Sequence, residues 1–121
     1  MPMVTPTFIK HNDKRILRLD YAPLDPAGVI AFMEEARRLI ASEPQGSVRL
    51  LSIVPPHISD AVVNALRDFA THNVPFVLAS AVVGATPFQK AAILLTISSR
   101  GRRNVEAFDD EQQAKDWLAA R

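Results

Sequence analysis

Three side chains with catalytic potential, His57, Ser59 and Asp60, lie within a span of four residues. A hydroxyl, an imidazole and a carboxylate are the parts of a hydrolytic triad, whose serine in α/β enzymes sits at a strand-to-helix turn flanked by glycines. No glycine flanks Ser59, and separate elements of a fold normally supply the three roles. A serine directly before an apolar helical pattern is also a typical N-cap. The sequence therefore favours a capping role and predicts no catalytic residue, with a small hydrolase using Ser59 and His57 as the weakest alternative.

Metal and cofactor sites are not indicated by the sequence either. The three histidines, His11, His57 and His72, do not have metal-ligand spacing, and the chain has no cysteine. The four glycines are too scattered to form a dinucleotide-binding or phosphate-binding loop. We therefore expect no metal and no cofactor.

Two groups of residues could contact an anion or a protein partner. Thr86 follows the turn at Gly84, where the first backbone N–H groups of a helix would face an anion. Arg100, Arg102 and Arg103 form a short basic cluster, and guanidinium groups bind phosphate or carboxylate with paired hydrogen bonds. Arginine also stabilises the C-terminal end of a helix through the helix dipole. That helix-terminal role is the simpler explanation, and contact with an anion or partner is the alternative.

The overall composition is that of an ordinary globular protein. The 121 residues include 14 Lys and Arg against 13 Asp and Glu, and 48% of them are apolar. This is sufficient for a hydrophobic core, and the near-neutral charge gives no long-range attraction to nucleic acid. The aromatic side chains are expected in the core rather than on a nucleic-acid-binding surface. We therefore expect one domain over residues 7–121 after a flexible tail of residues 1–6, and no binding of nucleic acid.

One stretch, residues 74–97, resembles a membrane span because its only charge is Lys90. Pro75, Gly84 and Pro87 interrupt it, and a proline inside a helix costs about 3 kcal/mol. The N-terminus has neither the basic start nor the apolar run of a signal peptide. We expect no membrane span and a cytoplasmic location, which the absence of cysteine also fits.

Apolar residues recur with the period of a strand in some segments and with that of a helix in others. The pattern predicts strands at residues 7–11, 15–20, 47–54, 76–83 and 104–108. A helix is predicted after each of the last four strands, which gives the order β-β-α-β-α-β-α-β-α. This order indicates an α/β fold with a mixed, mostly parallel sheet of about five strands.

Turn and cap residues refine these boundaries. Asn12-Asp13 is typical of a tight hairpin turn, and Asp25, followed by a proline, is typical of a helix start. We expect Asn73 to end the second helix in the left-handed conformation. Asp109 is expected to open the terminal helix as a variant of the capping box.

The third predicted helix begins at Pro87, ends at Gly101 and is apolar nearly all round. Such a helix must be covered by more than its own sheet. We expect it to lie at a self-association face or beneath the terminal helix. A pocket for an apolar ligand beside this helix is the other explanation.

Several segments together resemble the STAS-like (SpoIIAA-like) family. Besides the N-terminal hairpin, they are residues 47–51, 73–76, 81–84, 103–110 and 114–118. The resemblance covers nearly the whole chain, and it implies the same α/β fold.

The best-understood members of that family are bacterial anti-sigma factor antagonists, which are non-catalytic, bind a regulatory kinase and are switched by phosphorylation. Their phosphoacceptor opens the helix after a central strand, in an Asp-Ser/Thr-x-Gly context. The matching position here is Ser59, although Asp60 follows rather than precedes it and the glycine is missing. The resemblance thus implies a bacterial, non-enzymatic module that contacts a protein partner. A lipid-carrier branch of the fold implies the alternative, a small-molecule or lipid-binding domain with a pocket near the third helix.

Overall fold

The computed structural model describes residues 5–54, 59–86 and 104–121. These residues form one five-stranded sheet in the order β1-β2-β3-β4-β5, with three helices. The first strand pair is antiparallel and the other three are parallel. The predicted α/β class with a mixed, mostly parallel sheet is therefore confirmed. The elements are β1 (Thr7–His11), β2 (Lys14–Asp20), α1 (Pro26–Ala41), β3 (Val48–Ile53), α2 (Asp60–Asn73), β4 (Val77–Val83), β5 (Val105–Phe108) and α3 (Glu111–Ala119).

The hairpin of β1 and β2 follows directly from its turn residues. Asn12 and Asp13 have φ values of 50° and 65°, and His11 pairs with Lys14 across the turn. Two consecutive left-handed residues define the type I′ turn, whose twist matches that of antiparallel strands. The predicted hairpin is confirmed.

The sheet buries both of its faces. On one face, α1 and α2 pack against alternate residues of the strands, such as Leu17, Leu19 and Leu50. On the other face, α3 places Ala114 and Leu118 against a second core cluster. That cluster includes Ile16, Leu51, Ala79, Ala81 and Val83. Because successive side chains of a strand point to opposite faces, one sheet supports two separate cores.

Helix starts agree with the predicted caps at two of three positions. Asp25 Oδ1 accepts from the Gly28 N–H at 2.7 Å, and Ser59 Oγ accepts from the Val62 N–H at 3.3 Å. The prediction for the terminal helix is wrong by one residue: Asp110, not Asp109, is its N-cap. The backbone of Asp110 is extended, with φ −124° and ψ 129°, and its Oδ1 accepts from the Gln112 N–H at 3.2 Å, so the helix begins one residue later than the pattern predicts.

The predicted left-handed stop at Asn73 is also wrong. Among the described residues other than glycine, positive φ values occur at Asn12 and Asp13. Asn73 is instead the last residue of α2, and its side chain is fully buried. The chain leaves α2 through Val74, which is right-handed, and the Phe76 N–H donates to the Asn73 carbonyl at 2.9 Å. Because the backbone is still right-handed at Val74, Asn73 does not act as the C-cap of α2.

No helix within the described ranges is long and apolar enough to cross a membrane. The third predicted helix lies outside those ranges. That it is a self-association face, or borders an apolar pocket, stays a prediction. The described crossovers β2–α1–β3 and β3–α2–β4 are enough to align three strand ends at one edge of the sheet.

An ion-pair cluster joins the sheet to α3. Arg18 Nε and Nη2 donate to Glu111 Oε2 and Oε1 at 3.3 and 3.0 Å. Lys115 Nζ lies 2.8 Å from Glu111 Oε2. The hydrogen bonds from Arg18 lower the pKa of Glu111 below its ordinary value of 4.5, although partial burial acts in the opposite direction.

We expect Glu111→Gln to lower the free energy of unfolding at neutral pH by about 1 kcal/mol. Because the pKa of Glu111 is lower in the folded chain than in the unfolded chain, its contribution is present above pH 4.5 and is lost as the pH falls through the folded-state value. The variant should therefore lose less stability than the unaltered protein on acidification. Urea denaturation at neutral and acidic pH measures both effects. Glu35→Gln, which removes an exposed carboxylate of α1, is the control. Equal pH dependence of Glu111→Gln and the unaltered protein would contradict the prediction.

Candidate functional site

The carboxyl ends of strands β2 to β5 meet at one edge of the sheet, which we call the carboxyl edge. Hydrogen bonds continue the sheet across it: the Tyr21 N–H donates to the Ile53 carbonyl and the Val54 N–H donates to the Val83 carbonyl, both at 3.0 Å. α1, α2 and α3 each follow a strand and begin at this edge. Ligands of open α/β sheets bind outside the carboxyl ends of the strands, and Ser59 and Thr86, which the sequence singles out, lie at these ends here. The carboxyl edge is therefore the candidate site.

Ser59 is positioned at this edge by the start of α2. Its backbone is extended, its carbonyl accepts from the Val63 N–H at 2.9 Å, and its hydroxyl oxygen accepts from the Val62 N–H at 3.3 Å. The side chain is half-buried. Since Oγ acts as the acceptor in this cap, the described hydrogen bond does not use its proton. The position predicted from the sequence is thus a half-buried hydroxyl at the N-terminus of a 14-residue helix.

Gly84 and Thr86 follow β4 and lie at the same edge of the sheet as Ser59. Gly84 has a φ of 86°, and its N–H donates to the Phe108 carbonyl at 3.3 Å. A Cβ at Gly84 would meet no atom within 4 Å, so glycine is needed for its left-handed backbone rather than for space. This left-handed turn redirects the chain at the end of β4 and leaves Thr86 exposed.

The carboxylates at this edge are engaged in local turns. Asp25 and Asp110 cap α1 and α3, while Asp20 Oδ1 accepts from the Ala22 N–H at 3.0 Å. α2 differs from the other two described helices because its cap is the uncharged Ser59. The acidic residue of its first turn is Asp60, so α2 has one carboxylate at its start, as α1 has, whereas α3 has two, Asp110 and Glu111. A hydroxyl cap differs from a carboxylate cap because it can gain negative charge by modification.

Catalytic and metal-binding arrangements find no support in the described part of the chain. The one described hydrogen bond of the Ser59 hydroxyl is with the backbone of its own helix, and Asp60 is exposed on the first turn of α2. No group of three His, Asp or Glu side chains among the described residues could hold a metal ion. His57 lies outside the described residues, as do Arg100, Arg102 and Arg103. The structure thus places Ser59 and Thr86 at one edge, and the arginine cluster remains a prediction.

Two buried polar side chains escaped the sequence analysis. The Tyr21 hydroxyl at the end of β2 and both amide atoms of Asn73 at the end of α2 are buried without a hydrogen-bond partner in the described structure. Tyr21 packs edge-on against Phe32 with ring centroids 5.1 Å apart, and burial raises the pKa of its hydroxyl. The sequence pattern placed Tyr21 on the core face of its strand, but no sequence signal shows whether a buried polar atom will meet a partner.

No protein-family model matches this chain, and no curated protein matches its sequence. The carboxyl edge and the Ser59 hydroxyl at it are therefore the features of this chain that bear on its function.

Proposed function

We propose that this chain is a non-enzymatic, STAS-like interaction module that binds a protein partner at the carboxyl edge. The observation that carries the proposal is the placement of Ser59, a half-buried hydroxyl that caps α2 at the carboxyl ends of parallel strands. The five-stranded mixed sheet with its N-terminal hairpin is the fold that the resemblance implies.

Phosphorylation of Ser59 is the switch in this proposal. A phosphoserine carries about −1.5 to −2 charges at neutral pH and three acceptor oxygens. At Ser59, the Val62 N–H and the positive end of α2 stabilise that charge, whereas Asp60 opposes it. The modification would therefore leave α2 intact and make the local potential that a partner meets more negative.

The partner-binding test uses variants that preserve the helix cap. Ser59→Asp adds a negative charge and retains a good N-cap, and Ser59→Thr retains an uncharged hydroxyl cap. Gln45→Glu is the matched control because it adds the same charge at an exposed residue before β3, at the opposite edge of the sheet. Each variant is immobilised, and proteins retained from a lysate of the source organism are identified and then purified for affinity measurements.

We expect one retained protein to bind the unaltered chain, Ser59→Thr and Gln45→Glu with similar affinity. Ser59→Asp should weaken its binding by about tenfold or more, since burial of an unpaired carboxylate in the contact costs several kcal/mol. If every retained protein binds Ser59→Asp as well as Gln45→Glu, the proposed site is wrong. Mass spectrometry of the chain isolated from its source, with one phosphate on the peptide that contains Ser59, tests the switch separately.

The rival functions depend on residues outside the described part of the chain. The small-molecule or lipid-binding alternative requires the third predicted helix, and the hydrolase alternative requires His57. Ligand that copurifies with the protein and is visible by native mass spectrometry would favour the first. Turnover of an ester that is abolished by Ser59→Ala would favour the second.

A further inference from the structure

β1 is an edge strand whose outward backbone groups have no partner among the described residues. His11 and Lys14 flank a two-residue turn, so each donates its backbone N–H to the carbonyl of the other. The pairs Ile9–Ile16 and Thr7–Arg18 are bonded in the same way, because hydrogen-bonded pairs alternate along an antiparallel ladder. Phe8 and Lys10 belong to the alternate pairs and direct their N–H and C=O groups away from β2. This edge of β1 therefore presents the N–H and C=O groups of Phe8 and Lys10, two donors and two acceptors, to which another strand can bond.

The opposite edge, β5, is shorter and partly protected. The Ser80 and Gly84 N–H groups donate to the Asn104 and Phe108 carbonyls, so the alternate residues Val105 and Ala107 point outward. The Glu106 carboxylate accepts from the Ala107 N–H at 3.4 Å. This bond satisfies one outward donor of β5, whereas the outward groups of β1 have no backbone partner among the described residues. The charged residue of β1 is Lys10, which discourages the addition of a strand that would place another cation beside it.

We infer that β1 pairs with β1 of a second copy of this chain, antiparallel and about a two-fold axis at Ile9. Phe8 of each copy then lies opposite Lys10 of the other, and the outward groups of both residues form four hydrogen bonds. The two five-stranded sheets become one sheet of ten strands. Because the same residues face each other across the axis, the interface is closed and self-complementary.

The side chains around the axis fit this arrangement. Ile9 pairs with Ile16 within one copy, and Ile9 is partly exposed whereas Ile16 is fully buried. In the dimer, Ile9 meets its symmetry mate in a non-hydrogen-bonded pair, where side chains approach most closely. The result is a continuous row of four isoleucines that covers the exposed part of Ile9. A self-contact of two identical β-branched residues is what favours a second copy over an unrelated strand.

The other face of the strand also favours this register. Lys10 would lie beside Phe8 of the second copy rather than beside another lysine. The Phe8 ring already accepts a cation, with the Arg15 guanidinium carbon 4.0 Å from its centroid. Glu43 Oε1 accepts from that guanidinium at 2.8 Å, which offsets the positive charge near Lys10. Pro6 lies two residues before Phe8 and has no N–H, so it cannot extend the row of outward donors.

The test measures self-association of the full chain by sedimentation velocity from about 10 μM to about 1 mM, since so small an interface supports only weak binding. Lys10→Pro removes an outward N–H that β2 does not use, so proline is tolerated there in the monomer. The change deletes two of the four hydrogen bonds between copies, and we expect it to weaken dimerisation by about tenfold or more. Lys10→Ala retains the N–H and should still dimerise.

Ala107→Pro is the matched control at the other edge, and it should leave dimerisation unchanged. Ile9→Lys places two like charges at the axis and should abolish dimerisation, with circular dichroism confirming that the variant is folded.

The amide signals of Phe8 and Lys10 should move with concentration in NMR spectra, while those of Thr7 and Ile9, which bond to β2, should move less. A strict monomer at every concentration, or a dimer that Lys10→Pro leaves intact, would overturn the inference.

Discussion

Leu118→Ala is expected to lower the free energy of unfolding by about 3 kcal/mol, the largest effect of any change considered for this protein. Leu118 is fully buried and packs against the sheet from α3, a helix of only nine residues. So short a helix has little intrinsic stability in water, and its order depends on the face that it buries. Truncation of Leu118 removes its apolar contacts and leaves a cavity in the core cluster between α3 and the sheet.

The single tryptophan, Trp117, provides a local measurement of this effect. Its ring lies 5.7 Å from the Phe108 ring, and the Arg121 guanidinium carbon lies 4.2 Å from its centroid. Urea denaturation followed by Trp117 fluorescence and by circular dichroism therefore separates loss of α3 from loss of the sheet. Gln113→Ala changes an exposed residue of α3 and should alter stability by less than about 0.5 kcal/mol. A loss below about 1 kcal/mol for Leu118→Ala would show that α3 is not packed as described.

Asn73→Leu is expected to raise the free energy of unfolding by about 1 to 2 kcal/mol. Both polar atoms of the Asn73 side chain are buried without a partner in the described structure, so the folded state loses their hydration and gains no hydrogen bond. Leucine has a similar branched shape and no polar atom to desolvate. A substitution of a fully buried residue that stabilises the fold is unusual, which makes the prediction a sharp one.

Asn64→Leu separates this effect from helix propensity. Asn64 lies on the exposed side of the same helix, so its replacement changes helix propensity without removing a buried amide. We expect the gain at position 73 to exceed the gain at position 64 when both are measured by thermal or urea denaturation. A loss of stability at position 73 would mean that the amide of Asn73 forms hydrogen bonds, with a bound water as the simplest partner.

The two proposed contacts use different parts of the sheet. Partner binding at Ser59 takes place at the carboxyl ends of the parallel strands, whereas self-association uses the side of β1. The variants are therefore independent: Ser59→Asp should leave the dimer intact, and Lys10→Pro should leave the intrinsic affinity for a partner intact. A dimer joined at β1 would present two copies of the carboxyl edge, which would strengthen binding to a partner with two sites.

Local features of this fold could be predicted from the sequence because neighbouring residues determine them. The Asn12-Asp13 turn needs two left-handed residues, and the caps at Asp25 and Ser59 need one side-chain oxygen beside free N–H groups. The alternation of strands and helices likewise follows from the spacing of apolar residues. These features together were sufficient for the α/β class and for the placement of Ser59 at a helix start.

Tertiary structure alone decided which side chains meet across the fold. Asn73 ends α2 as a buried amide in right-handed backbone, not as a left-handed stop, and no local pattern shows that it faces the core. The bond between Arg18 and Glu111 joins residues 93 positions apart, and no local pattern connects them. Whether β1 or β5 has the open edge likewise depends on strand order and on one carboxylate, Glu106. The spacing of residues in the sequence determined where helices, strands and turns form, because these depend on near neighbours in the chain. Contacts between distant residues determined which side chains and strand edges are exposed.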